Sequence, residues 1–324
     1  MPAVSVIIPV YDVEAYVGRC ARSLFSQTLS DIEYIFVDDC TPDRSMQVVE
    51  DVLADFPARR PQVKSFRMNR NSGQAAVRMQ ALSLATGDYV IHCDSDDTVE
   101  PDAYRLLWEK AVSENLDIVT CDFLKEGKNG WKHVDGNCPS VDALLRDRAP
   151  WNLVCRLVRR SLLDGIVPPA GNMGEDMVIT LQATLRASRT GHVGTALYRY
   201  WYRPSSISKT SGKDAALGRW KSLTANVSLA VDLLCREYGY RGDEPALTAL
   251  KYYSRHHLEP FLGDPSVRRL WRDTFPEVDR KLLFTPGIPL ETRFWFALIH
   301  LHLYGPVKRV TAFFRQNHAS SALH

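Results

Sequence analysis

The chain has 324 residues, with 40 Lys and Arg against 38 Asp and Glu, a formal net charge of +2. At 45% apolar and 24% charged residues, the composition is that of an ordinary globular protein; a disordered tail, a collagen-like repeat and a disulfide scaffold are excluded. So weak a basic excess also argues against a general nucleic-acid binder.

Along the first 125 residues, short apolar runs alternate with amphipathic stretches. The runs 4–10 (VSVIIPV), 34–38 (YIFVD), 63–68, 89–93 and 118–123 (IVTCDF) predict strands. Between them, 14–27, 43–56, 74–85 and 101–114 predict helices, with Thr41-Pro42-Asp43 and Pro101 as start signals. VSVIIPV is apolar almost throughout, as in a strand of a parallel sheet covered on both faces. The alternation predicts a doubly wound α/β sheet. Residues 125–203 read as mixed and richer in Gly and Pro. From Ser211 the pattern is mainly helical, interrupted at Pro260, Pro265, Pro276, Pro286 and Pro289. There is no internal repeat.

The start, MPAVSVIIPVYD, has no basic leader region, and no apolar run reaches the roughly 18 residues of a membrane span. The longest, 294–303, carries His300 and His302. The cysteines, Cys20, Cys40, Cys93, Cys121, Cys138, Cys155 and Cys235, stand at least 17 residues apart, without CxxC or zinc-ligand spacing. Reduced thiols in a cytoplasmic protein are expected.

Ligands of an open parallel sheet bind beyond the carboxyl ends of its strands. Four loops qualify: 9–14, 38–43, 69–78 and 94–97. Asp94-Ser95-Asp96-Asp97 crowds three carboxylates into four residues, which repel unless a cation neutralises them. Its two readings are a divalent-cation site and a turn that caps the next helix. Asp38-Asp39 permits recognition of a base N–H or simple turn chemistry. Neither GxGxxG nor GxxxxGK[ST] occurs.

VSVIIPVYD (4–12), FVDDCTPD (36–43), NSGQAAVR (71–78), GDYVIHCDSDD (87–97), WNLVCRLVRRSLL (151–163), GED (174–176) and YRPSSIS (202–208) follow in this order. As a set they resemble glycosyltransferase family 2 of bacterial polysaccharide type, over about the first 210 residues. The resemblance implies the GT-A fold: α/β, a doubly wound, mostly parallel sheet with a mainly helical C-terminal extension. It divides the chain into 1–210, with a nucleotide half to about 125 and an acceptor half from 126, and 211–324. The implied activity is inverting, metal-dependent transfer from a nucleotide-diphosphate donor, a UDP-sugar, to a hydroxyl of a glycan or lipid-linked acceptor.

By the same resemblance, Pro9, Val10, Tyr11 and Asp39 hold the uracil, and Asn71, Gly73 and Arg78 flank the uridine and diphosphate. Asp94, Ser95 and Asp96 form the DxD motif, with Asp94, Asp96 and Asp97 as ligands of Mn2+ or Mg2+. Asp176 is the catalytic base that deprotonates the acceptor; read from the residues alone, GED is an acidic helix start. Two departures from the family pattern stand out: Asp12 replaces the usual Asn, and Val77-Arg78-Met79 replaces Ala-Arg-Asn. A sugar nucleotidyltransferase remains an alternative, although it expects a Gly-rich loop where Tyr11-Asp12 stands. A catalytically silent glycan- or nucleotide-binding module is another.

Other features read first as structure. His256-His257 lacks a metal partner at useful spacing, and Trp151, Trp201 and Tyr202 read as buried aromatics before sugar platforms. Arg156 and Arg159-Arg160 suit an anionic ligand or a solvated face equally. Residues 291–324 are basic and aromatic-rich. Phe296, Ile299, Leu303 and Val307, Val310, Phe314 fall at helical spacing around Gly305-Pro306. That stripe either packs on the rest of the chain or makes peripheral contact with the inner face of a membrane.

Overall fold

A computed structural model describes residues 2–127, 130–138, 140–146, 148–203, 211–301 and 303–304. Two compact units divide the chain, Met1–Thr210 and Ser211–His324.

The first unit runs β1 (Val4–Val10), α1 (Glu14–Phe25), β2 (Ile32–Asp38), α2 (Ser45–Ala54), β3 (Val63–Arg67), α3 (Gln74–Leu84), β4 (Tyr89–His92), β5 (Thr98–Val99), α4 (Ala103–Ser113), β6 (Ile118–Gly127), β7 (Gly130–Val134), α5 (Val141–Leu145), β8 (Arg156–Arg159), α6 (Glu175–Arg186) and β9 (Thr190–Tyr200). The sheet order is β3-β2-β1-β4-β8-β6-β9-β5, with β7 on β6. The β1–β2, β2–β3, β1–β4 and β6–β9 pairs are parallel. β8 enters antiparallel to both β4 and β6, and β5 pairs antiparallel with β9. β1 to β4 thus form the parallel sheet that the alternation predicts, whereas β5 and the predicted fifth strand, β6, lie in its mixed remainder.

Period-two alternation assigns the strands' side chains to two cores. Val4, Val6, Ile8 and Val10 of β1 join Tyr34 and Phe36 of β2 under α1, α2 and α4. Ile7, Ile35 and Val37 point to the other face, under Val77 and Ala81 of α3 and Ile179 and Ala183 of α6. Burial on both faces explains why these strands read as continuous apolar runs. α2 starts two residues later than predicted, and Asp43, just before it, serves the neighbouring loop together with Ser45. Asp43 Oδ2 accepts the Glu14 N–H at 2.9 Å and Ser45 Oγ the Val13 N–H at 3.0 Å. Thr41 Oγ1 accepts the Asp12 N–H at 2.9 Å. The orphan amides that open α1 are therefore capped from the β2–α2 loop.

The second unit holds α7 (Lys213–Glu237), α8 (Pro245–Tyr253), α9 (Pro265–Asp273) and α10 (Leu290–His300), joined in part by 3-10 turns. Pro245 and Pro265 occupy first turns, where a missing N–H costs nothing. Trp271 is fully buried among Tyr252, Leu258, Val278 and Phe296. Beside it, Arg255 donates to the Thr274 and Phe275 carbonyls at 2.7 Å each and to Asp279 at 2.5 Å. That cation thus binds the two carbonyls that follow α9. All seven cysteines are free, and no helix among the described residues is long and apolar enough to cross a membrane.

Candidate active site

Parallel β1, β2 and β4 bring their following loops to one edge of the sheet. Asp39, just past β2, is 4% exposed; its two oxygens accept the Ser72 and Gly73 amides at 2.7 and 2.8 Å. Asp39 in turn donates its own N–H to the Val10 carbonyl at 3.0 Å. Three of the predicted loops are thereby joined. Val10 buries its side chain completely, so it offers the edge its backbone alone. Pro9 is half-buried, whereas Tyr11 and Asn71 are exposed.

Gly73 has φ +83, and a Cβ there would fall 2.2 Å from the Asn172 side chain. Asn172 Oδ1 accepts the Ala75 N–H at 3.1 Å, capping α3. Met79, at the second departure from the family pattern, packs against the core beneath α3. A cavity of about 570 Å³ lies between Met79, Gln80 and residues 168–172; Ser72 borders it, but none of the clustered carboxylates does.

Those carboxylates gather around Arg78, which is 3% exposed. Its guanidinium donates to Asp94 Oδ1 at 2.7 Å, stands 3.7 Å from Glu175 Oε1, and lies 3.0 Å from His92 Nδ1. Glu175 and Asp176 open α6, preceded by left-handed Gly174 at φ +81. Burial, followed by repulsion from Asp176, pushes the Glu175 carboxyl up to about 8. Burial likewise raises Asp176, against the pull of the Met177 N–H and Arg78. Asp96 is raised by burial and then by Asp94, with Arg203 opposing.

The DxD loop is held from several sides. Arg19 donates to the Asp96 carbonyl at 2.6 Å and lies 4.1 Å from the Trp201 ring centre. Arg203 Nη1 stands 3.6 Å from Asp96 Oδ2, and its other nitrogen donates to the Asp12 carbonyl at 2.6 Å. Ser95 is buried. The Tyr198 hydroxyl accepts the Asp94 N–H at 3.2 Å and donates to Asp97 Oδ2 at 2.6 Å, while Asp97 Oδ1 accepts the Trp201 N–H at 2.8 Å. Asp97 is 1% exposed, and its two oxygens clamp the β9 end through these bonds.

Asp94 and Asp96 fit a divalent cation on charge grounds. Asp94, Asp96, Asp97, Glu175 and Asp176 interact within one network, and among the described residues Arg78 and Arg203 pair with these carboxylates at 4 Å or less. Hard oxygen donors carrying excess negative charge suit Mg2+ or Mn2+.

Glu175, His92, Tyr198, Arg19 and Arg203 were not assigned roles from the sequence. Glu175 stood in the quoted GED, and its helix-start reading concealed the approach to Arg78. Arg159 ties to Asp117 at 3.0 Å and Arg160 to the Gly87 carbonyl at 2.9 Å, both at the opening of β4 and away from the DxD loop. Arg156 is buried and donates to the Pro150 carbonyl at 3.0 Å. Trp201 packs edge-on against Trp131 at 4.8 Å. His256 and His257 stack at 3.9 Å, and burial lowers His257 to about 4. Residues 204–208 of YRPSSIS lie outside the described residues.

A run of parallel strands, an acidic loop at their carboxyl edge and an acidic helix start beside it form the arrangement expected of a glycosyltransferase. Residues 5–160 match the family model described as Glycosyl transferase family 2, and that segment of the chain belongs to the family. The chain is 30% identical over 230 residues to the uncharacterized glycosyltransferase EpsJ of Bacillus subtilis (strain 168), covering 66% of this chain and 65% of EpsJ. It is 28% identical to the uncharacterized glycosyltransferase YibD of Escherichia coli (strain K12), covering 63% of each. The match thus spans less than two thirds of either relative. Among solved structures, S. aureus TarS 1-349 in complex with UDP-GlcNAc superposes with a TM-score of 0.66 at 17% identity, over 98% of this chain and 92% of that one. The mannosyltransferase PcManGT from Pyrobaculum calidifontis, in complex with GDP-Man and Mn2+, reaches 0.52 at 16% identity, over 95% of this chain and 87% of that one. The fold is GT-A.

Proposed function

We propose that this protein transfers a sugar from a UDP-sugar to a hydroxyl of a glycan or lipid-linked acceptor, with inversion at the anomeric carbon. The observation carrying this reading is the convergence of Asp94, Asp96, Arg78, Glu175 and Asp176 beyond the carboxyl end of β4. For the base, Asp39 offers two oxygens that each retain a lone pair after accepting an amide, enough for the uracil N–H. UDP-GlcNAc and UDP in the TarS complexes support the choice of uridine.

Asp94 and Asp96 would hold Mn2+ or Mg2+; when bound, the ion neutralises the leaving diphosphate. The Mn2+ complex of PcManGT supports that assignment. Arg78 orients Asp94 and offsets part of the charge of Glu175 and Asp176. Asp176 takes the acceptor proton as the hydroxyl attacks, a role suited to a carboxyl that burial raises above its ordinary value. Attack opposite the leaving diphosphate gives inversion.

The reaction belongs to polysaccharide or glycolipid assembly in a cytoplasm. A membrane role for the C-terminal region would draw, among the described residues, on exposed apolar side chains of α10 and just beyond it, Leu303 included. Phe296 and Ile299 of the predicted stripe are buried, while Leu290, Phe294 and Leu301 are exposed; Val307, Val310 and Phe314 lie outside the described residues.

The test is release of UDP from a panel of UDP-sugars with Mn2+ and candidate acceptors, comparing wild type with Asp176→Asn. The expected result is a loss of turnover of about 100-fold or more with donor affinity retained. Unchanged turnover would remove Asp176 as the base, and absence of nucleotide binding by the folded wild type would remove the activity.

A further inference from the structure

Asp122 lies on β6 and is 5% exposed. Two imidazoles and a second carboxylate converge on it from other segments. His192 of β9 brings Nε2 to 3.1 Å from Oδ1, and His133 of β7 brings Nε2 to 3.1 Å from Oδ2. Asp135, just past β7, stands 3.9 Å from His192 Nε2. One ligand atom from each of Asp122, Asp135 and His192 lies within 4.8 Å of the others. A tetrahedral ion with bonds of about 2.0–2.1 Å spaces its ligand atoms about 3.3 Å apart. The observed 3.1 and 3.9 Å bracket that edge.

The surrounding backbone is shaped to this cluster. Thr120 Oγ1 lies 2.8 Å from His192 Nδ1. With Nδ1–H donated to that hydroxyl, Nε2 presents a lone pair to the carboxylates, which is the arrangement a bound cation requires. Gly136 donates its N–H to Asp122 Oδ1 at 2.9 Å, and a Cβ there would fall 1.8 Å from the Cys121 carbonyl oxygen. Only glycine lets the turn bearing Asp135 close on β6. Opposite, the register jumps from Cys121 with Val193 to Asp122 with Ala196. That bulge falls beside His192, and bulges re-aim side chains.

We infer that Asp122, Asp135 and His192 form a second metal site, separate from Asp94 and Asp96, with His133 orienting the Asp122 carboxylate from outside. A ring nitrogen with two carboxylates selects Zn2+ over Mg2+ or Ca2+. The ion staples the turn after β7 to β6 and β9; β9 also carries Tyr198, the residue that grips the DxD loop.

The full-length protein, loaded with Zn2+ and dialysed, is expected to retain one equivalent by elemental analysis, with Mg2+ failing to displace it. Co2+ in its place should show the visible absorption of a tetrahedral site. Asp96→Ala should keep the equivalent, whereas His192→Gln should lose it. Asp135→Asn and His133→Gln alter side chains that are 77% and 57% exposed, so folding survives; each should weaken Zn2+ at least tenfold. No retained Zn2+ in wild type, or undiminished affinity in Asp135→Asn and His192→Gln, overturns the site.

Discussion

Arg78 sets the electrostatics of the candidate site from a position that water scarcely reaches. A buried guanidinium needs partners, and it has Asp94 at 2.7 Å with Glu175 at 3.7 Å. Burial, and next the acidic excess remaining around it, keep Glu175 protonated up to about 8, against an ordinary value of 4.5. Between those values the native state holds a proton that the unfolded chain has released. This contribution to stability is therefore fully present below about pH 4.5 and lost as pH rises through about 8. Glu175→Gln cannot titrate. Melting temperatures from pH 5 to 9 should show wild type falling relative to Glu175→Gln by a few degrees, equivalent to about 1–3 kcal/mol. Parallel profiles would show that Glu175 is already ionised across the range. The site was partly legible at this scale. DSDD announced crowded charge, but the Asp97 clamp was not readable, because Tyr198 and Trp201 arrive from about a hundred residues away.

At the scale of elements, the β1–α1 and β2–α2 loops act as one. Asp43 accepts from the Thr41 and Ser45 hydroxyls and from the Glu14 and Ser45 amides, and these bonds overcome burial to hold its carboxyl down at about 2. Asp43→Ala removes the cap of α1 and the support of α2 together. It should cost about 1–2 kcal/mol in urea unfolding. Because Tyr11 and Asp39 sit on the loops so joined, UDP affinity should fall with it; a change below about 0.5 kcal/mol would show that the network is redundant. The strands and helices of the parallel half were legible because burial on both faces leaves an apolar run and helices leave a 3.6 period. Two-residue β5 and antiparallel β8 carry too little pattern. Their pairing is decided by β9, β4 and β6 after the chain has closed.

For the whole molecule, the division at 210/211 separates chemistry from a helical unit with its own core around Trp271. Leu290, Phe294 and Leu301 lie along one face of α10, with exposures of 82%, 53% and 65%. If that face meets a membrane, the full chain should co-sediment with vesicles containing anionic lipid at low salt, and Leu290→Glu with Phe294→Glu should abolish it. Equal recovery of both proteins in the supernatant would leave the face without a membrane role.

A UDP-sugar site completed by a divalent cation at Asp94 and Asp96 is tested by calorimetric titration of UDP with and without Mn2+, on wild type and Asp96→Ala. Wild type should bind UDP at least tenfold more tightly with Mn2+, a gain of about 1.4 kcal/mol or more. Asp96→Ala should lose that gain while folding as stably as wild type or better, since a carboxyl raised by burial and by Asp94 has been removed. Mn2+-dependent UDP binding that survives in Asp96→Ala would remove the metal from Asp96, and wild type that binds no uridine diphosphate in the presence of the metal would remove the UDP-sugar site.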